Sequence, residues 1–133
     1  MICGIGIDVV HVHRLEHWIQ VPGLLERFFH PQELETARSR GHGMAVSLAA
    51  RFAAKEAFGK ALGTGLSGIV LKDILVENRH NGQPEIKLYG TALEALRRSG
   101  ANKIHVSLTH EHDNAIAIIL LERINDLEEG SLN

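Results

Sequence analysis

Two hydrophobic rhythms follow one another along the chain, and their order predicts an α+β domain. Residues 2–10, ICGIGIDVV, repeat every second position: Ile5, Ile7 and Val9 share one face, and Gly4, Gly6, Asp8 and Val10 share the other. That is the alternation of a strand. Its second face is unusual, because two glycines beside a carboxylate leave open space against the backbone. Three short helices are expected next. The first covers 13–20, with Leu15, Trp18 and Ile19 apolar; the second runs from Pro22 through Phe29; the third covers 31–40, with Pro31 in its first turn. Residues 44–62 form the strongest helical pattern. Ala49, Ala53, Ala57 and Ala61 recur every four residues as a small-residue stripe suited to close packing, and Phe52, Glu56 and Lys60 make an adjacent stripe. Gly63 and Gly65 are its stop signals.

The second half returns to strands. KDILVEN at 72–78 and EIKLYG at 85–90 are joined across an Asn81-Gly82 turn. TALEALRRSG at 91–100 is an amphipathic helix that ends at Gly100. In KIHVSLTH, 103–110, Ile104, Val106 and Leu108 alternate with His105, Ser107 and Thr109. NAIAIILLE, 114–122, is apolar on both faces, as a central strand is. The polar tail, 124–133, is expected to fray, which leaves 1–123 as one domain. The expected fold is an antiparallel sheet packed on the long helix.

Composition narrows this picture. The 133 residues suit a single domain, and an apolar fraction of 44% argues for a globular chain. Four Phe, one Trp and one Tyr leave the core to be built mostly from Ile, Leu, Val and Ala, and oligomerisation would add burial. A net charge of −2 gives nucleic-acid binding no support. A single cysteine, Cys3, excludes an intrachain disulfide and points to a reducing compartment; its place in a strand pattern predicts a small buried hydrophobe. With neither a signal-peptide pattern nor a membrane-length apolar run, a soluble cytoplasmic protein is expected.

Three constellations carry candidate chemistry. Asp8 and Glu56 come from a glycine-flanked strand and a long helix, and paired carboxylates suit a hard cation such as Mg²⁺ that completes its shell with substrate phosphates. Arg51, Lys55, Glu56 and Lys60 cluster in RFAAKEAFGKALGTG; Glu56 and Lys60 share a face at i, i+4, as an ordinary helix ion pair also would. In HVSLTHE, His105, Ser107 and Thr109 offer donors for phosphate oxygens, though an exposed sheet face has the same pattern. No G-x-S-x-G elbow supports a hydrolase reading of Ser107. The pairs His11/His13 and His110/His112 each offer two zinc ligands, but no further spacing completes a site.

Taken together, GIGIDVV, ARFAAKEAFGKALGTG and HVSLTHE resemble, in content, order and spacing, the three blocks of the acyl-carrier-protein synthase class of 4′-phosphopantetheinyl transferases. The resemblance covers roughly residues 2–122, and the middle block is the specific one. It implies the α+β fold of that family and a homotrimer with active sites at subunit interfaces. It also implies the reaction: 4′-phosphopantetheine passes from coenzyme A to a serine of apo acyl carrier protein, giving the holo form and 3′,5′-ADP, in support of fatty acid biosynthesis. By the same resemblance Asp8 and Glu56 hold Mg²⁺, Lys60 neutralises the diphosphate, and these three form the catalytic set. Arg51, Lys60, Gly63, Thr64, Gly65, His105 and Ser107 would lie along coenzyme A. Arg14, with Arg27 as the next candidate, would meet the acidic carrier. Two departures stand out. Gln83 occupies a position where the family often has lysine, and the first helix is less basic than in some relatives, with Glu16 and His17 after Arg14. The same glycine, lysine and histidine features would also serve a non-catalytic trimer that binds a nucleotide or coenzyme A.

Overall fold

The structure is a computed structural model and describes residues 1–125. β1 spans Ile2–His11, α1 Val12–Ile19, α2 Leu25–Phe28, α3 Pro31–Arg38 and α4 Met44–Leu62. β2 follows at Ile74–Asn78, then β3 at Pro84–Leu88, α5 at Gly90–Ser99, β4 at Lys103–Glu111 and β5 at Asn114–Glu122. The α+β order is the expected one, and α4 and β5 have the expected limits. α2 begins at Leu25 rather than Pro22, because Gly23 takes a φ of 78° that a right-handed helix does not accommodate. At the start of the tail the Asn102 side chain donates to the Ile124 carbonyl at 2.6 Å and accepts from its N–H at 2.9 Å. The remainder of the tail expected to fray, 126–133, lies outside the described residues.

The strands form two sheets rather than the single one expected. β1, β5 and β4 make an antiparallel sheet with β5 in the centre, as its two apolar faces predict, while β2 and β3 form a separate hairpin. One cause is a side chain. Val76 on β2 donates its N–H to Glu33 Oε2 at 3.1 Å, so that edge is already satisfied and offers less to a further strand.

α4 lies across β1, and the reason is legible in the small residues. A Cβ at Gly4 or Gly6 would run into the carbonyl oxygens of Ala61 and Ala57. The space expected to stay open on that face of β1 is therefore filled by the backbone of α4. The alanine stripe makes the approach possible, since Ala49, Ala53 and Ala57 are fully buried. Cys3 is only half-buried, at the register shift between Ile2 and Gly4, which corrects its assignment to the core.

A second anchor of α4 is a buried ion pair. Lys55 has no exposed side-chain surface and donates to Glu33 Oε1 at 2.7 Å, to the Leu71 carbonyl at 2.9 Å and to the Ile74 carbonyl at 2.6 Å. Glu33 in turn accepts from the His30 backbone N–H at 2.9 Å and caps α3. One residue pair thus ties α3, α4 and the entry to β2, with all three ammonium protons used. The outer face of the main sheet has no such cover: Ile5, Ile7 and Val9 are 60%, 56% and 56% exposed.

Candidate active site

The packing of Gly4 and Gly6 against α4 carries Asp8, two positions beyond Gly6, to the same helix. Asp8 keeps 18% of its side-chain surface exposed, and Lys60 Nζ donates to its Oδ1 at 2.8 Å and to the Ile7 carbonyl at 3.1 Å. Lys60 is thus bound to the strand rather than in the i, i+4 ion pair with Glu56 that helix spacing alone would give. Glu56, one turn earlier on α4, is half-buried. Burial holds its carboxyl above the usual range, the charge on Asp8 pushes it further up, and Arg14 and Lys60 oppose the shift. Two carboxylates from different elements therefore repel one another beside a single ammonium. A hard divalent cation suits that arrangement, taking these two oxygens and filling its shell with water and ligand phosphates. Among the described residues no group of three or more His, Cys, Asp or Glu side chains is placed to hold a metal.

The Gly63-Thr64-Gly65 segment adjoins the cluster. Gly63 caps α4 with a φ of 81°, and Gly65 donates its N–H back to the Gly59 carbonyl at 3.0 Å, so the loop folds onto the helix end next to Lys60. Thr64 opens onto a cavity of about 360 Å³ that Ser67, Arg98 and Ser99 also line. Hydroxyls and a guanidinium there suit phosphate oxygens.

Other residues expected at the site are placed elsewhere in this chain. Arg51 is five residues from Glu56, about 140° around the helix, and is 4% exposed. It donates to Ser47 Oγ at 2.7 Å and to Asn78 Oδ1 at 2.9 Å, while its Nε is buried without a partner. Burial lowers its proton affinity, nearby Arg40 adds to this, and Glu33 opposes it. Arg40, Arg51, Asn78 and His110 border a second cavity, of about 390 Å³, with no carboxylate in its lining. A buried guanidinium with an orphaned N–H beside another cation has the chemistry of an anion site. Arg40 and Asn78 had no signal in the sequence, because they reach Arg51 from separate segments.

His105 and Ser107 pair with Leu120 and Ile118, on the opposite sheet face from Asp8, which pairs with Ala117. His105 Nε2 lies 2.8 Å from Glu122 Oε1. A single chain therefore does not bring His105 and Ser107 to the carboxylate pair. Arg14 does come close: it stands on α1 against α4 and acts electrostatically on Glu56. Arg27 is exposed on α2. Gln83 is held by its backbone, which accepts from Arg79 at 2.8 Å, and so forms part of the hairpin loop.

A long helix laid on a three-stranded sheet, with a strand carboxylate, a helix carboxylate and a lysine at their junction, defines a class of proteins. Residues 4–119 match the 4′-phosphopantetheinyl transferase superfamily, and this chain belongs to it. A holo-[acyl-carrier-protein] synthase of Treponema denticola is 58% identical over 122 residues, 92% of this chain and 99% of that protein. The crystal structure of the synthase from Neisseria meningitidis superposes with a TM-score of 0.81 at 34% identity, covering 92% of this chain and 100% of that one. The synthase from Bacillus anthracis, solved in complex with coenzyme A (3′,5′-ADP), superposes with a TM-score of 0.78 at 32% identity, covering 93% of this chain and 99% of that one.

Proposed function

We infer that this chain is a holo-acyl-carrier-protein synthase. It transfers 4′-phosphopantetheine from coenzyme A to a serine of apo acyl carrier protein and so serves fatty acid biosynthesis. The observation that carries the reading is the junction of Asp8, Glu56 and Lys60 in a chain of this family. In phosphoryl transfer little covalent chemistry falls to the protein, and positioning and charge neutralisation lower most of the barrier. The serine oxygen forms a bond to the β-phosphorus of coenzyme A as the bond to 3′,5′-ADP breaks. Glu56 is the candidate to take the serine proton, directly or across one water, and the water relay suits a carboxylate that also holds a cation. Lys60, fixed by Asp8 and the Ile7 carbonyl, meets the charge that develops on the diphosphate. Asp8 and Glu56 would hold Mg²⁺, which supplies neutralisation of the diphosphate oxygens when bound.

The assembly we propose is a homotrimer with sites between chains, 1–123 of each forming one transferase domain. Two observations support it: the uncovered apolar face of the main sheet, and the placing of His105, Ser107 and the Arg51 cavity away from Asp8 within one chain. A neighbour can then add donors for coenzyme A to the Lys60 and 63–65 side. A cytoplasmic location accords with the single cysteine, and no helix among the described residues is long and apolar enough to cross a membrane.

Intact mass of apo acyl carrier protein after incubation with this protein, coenzyme A and Mg²⁺ tests the function. The expected result is a gain of one phosphopantetheine that disappears with Asp8→Asn. No gain on any acyl carrier, with coenzyme A still bound, would instead identify a binding protein.

A further inference from the structure

Arg14 and Trp18 lie one turn apart on α1, and Phe52 lies one turn before Glu56 on α4. The guanidinium carbon of Arg14 stands 5.0 Å from the centroid of the Trp18 ring and 5.2 Å from that of Phe52. The two rings meet edge to face at 5.0 Å with an interplanar angle of 79°, and Phe28 stacks on Trp18 at 5.1 Å. Phe52 is 4% exposed, so the seat is anchored in the core. An exposed arginine ordinarily keeps much of its rotamer freedom. Here two rings fixed by a third hold the guanidinium by cation–π contact. Such a contact spends none of the N–H donors on another side chain and leaves them for carboxylates. Among the described residues no carboxylate forms a direct ion pair with Arg14. Its electrostatic effect on Glu56 places it on the site side of the seam between α1 and α4.

We propose that Trp18, backed by Phe28 and Phe52, is a positioning residue that seats Arg14 and keeps its N–H donors available to the acidic carrier protein beside the carboxylate pair. This rests on the reading of Arg14 as a contact for the carrier. Preorganising the cation removes an ordering cost from docking, so the gain falls in recognition of the carrier and leaves coenzyme A binding alone. Cation–π contacts of this kind correspond to about a two- to tenfold change in an equilibrium constant.

The test is steady-state kinetics with apo acyl carrier protein, coenzyme A and Mg²⁺ for Arg14→Ala, Trp18→Leu, Trp18→Phe and the double variant Arg14→Ala/Trp18→Leu. Trp18→Leu is expected to raise KM for the carrier about two- to tenfold, with KM for coenzyme A unchanged. Trp18→Phe keeps an aromatic face and is expected within about twofold of the natural protein. The double variant should be no worse than Arg14→Ala, because the ring acts through the guanidinium. Additive effects, or an unchanged carrier KM in Trp18→Leu beside a raised one in Arg14→Ala, overturn the seat and leave the docking role of Arg14 standing. An unchanged carrier KM in Arg14→Ala overturns that docking role and the proposal with it. A second readout does not depend on the leucine variant folding. Trp18 is the only tryptophan, so Arg14→Ala must change its emission with no carrier present; identical spectra overturn the proposal.

Discussion

Glu56 sits among alanines on a helix and would pass for a solvated surface residue if its neighbours were not known. Its chemistry comes from where the chain puts it. Burial and the charge on Asp8 together raise its proton affinity in the folded state. Such a group binds its proton more tightly folded than unfolded, so stability falls as pH rises from the ordinary glutamate range through the raised value. At neutral pH, with no cation bound, ionised Glu56 opposes folding. Glu56→Gln is therefore expected to raise the melting temperature in a chelating buffer at neutral pH, with the gain shrinking in acid. Turnover with Mg²⁺ should fall by at least about a hundredfold. Melts at two pH values beside a turnover assay check both parts, and a lower melting temperature at neutral pH would contradict the account. The i, i+4 spacing made Glu56 and Lys60 visible in the sequence, but not that Lys60 would bind Asp8. That contact exists because β1 lies against α4, and no local spacing encodes it.

At the scale of elements, the site depends on how closely β1 approaches α4. Gly6 is one of the two points of closest approach, where an added Cβ would meet the Ala57 carbonyl. Gly6→Ala is expected to cost about 1–3 kcal/mol by overpacking. It should also lower turnover more than the loss of folded protein explains, because it separates Asp8 from Glu56 and a misplacement of about 1 Å can cost a hundredfold. Urea denaturation together with turnover per folded molecule measures the two effects separately. The other anchor is Lys55. Lys55→Met leaves Glu33 buried without its partner and should cost about 3–5 kcal/mol. Adding Glu33→Gln should recover part of that, a coupling that urea midpoints of the two singles and the double will show. The alanine stripe and the glycines were readable as small residues at helix and strand spacing. Their meeting was not, and the open space expected beside Gly4 and Gly6 is occupied for that reason. Nor did the alternation in β2 and β3 say which sheet they join, since Glu33 covers an edge of β2 from another part of the chain.

For the molecule as a whole, the outer face of the main sheet sets the expectation. Ile5, Ile7 and Val9 line it, with Ile118 of β5 beside them at 38% exposure. The trimer would cover this face, giving a mass by light scattering about three times the 14.6 kDa of one chain. Ile7→Lys should lower that mass toward one chain and abolish turnover, while each chain keeps its helical signal by circular dichroism. A fully active monomer would remove the argument for shared sites.

The sequence by itself determined the order and kind of the elements, the limits of α4 and β5, and the central place of β5. These follow from local periodicity, capping and turn chemistry, which act between near neighbours. Through its resemblance to a family it also singled out Asp8, Glu56 and Lys60. Only the tertiary structure decided that Lys60 bridges to the strand, that Lys55 turns inward to Glu33, that Arg51 joins Arg40 and Asn78, and that His105 and Ser107 lie on the far face from Asp8. Each of these depends on how segments separated in the chain are brought together. Their partners are chosen by the way the sheet, α4 and the hairpin pack, a relation that no window of sequence contains.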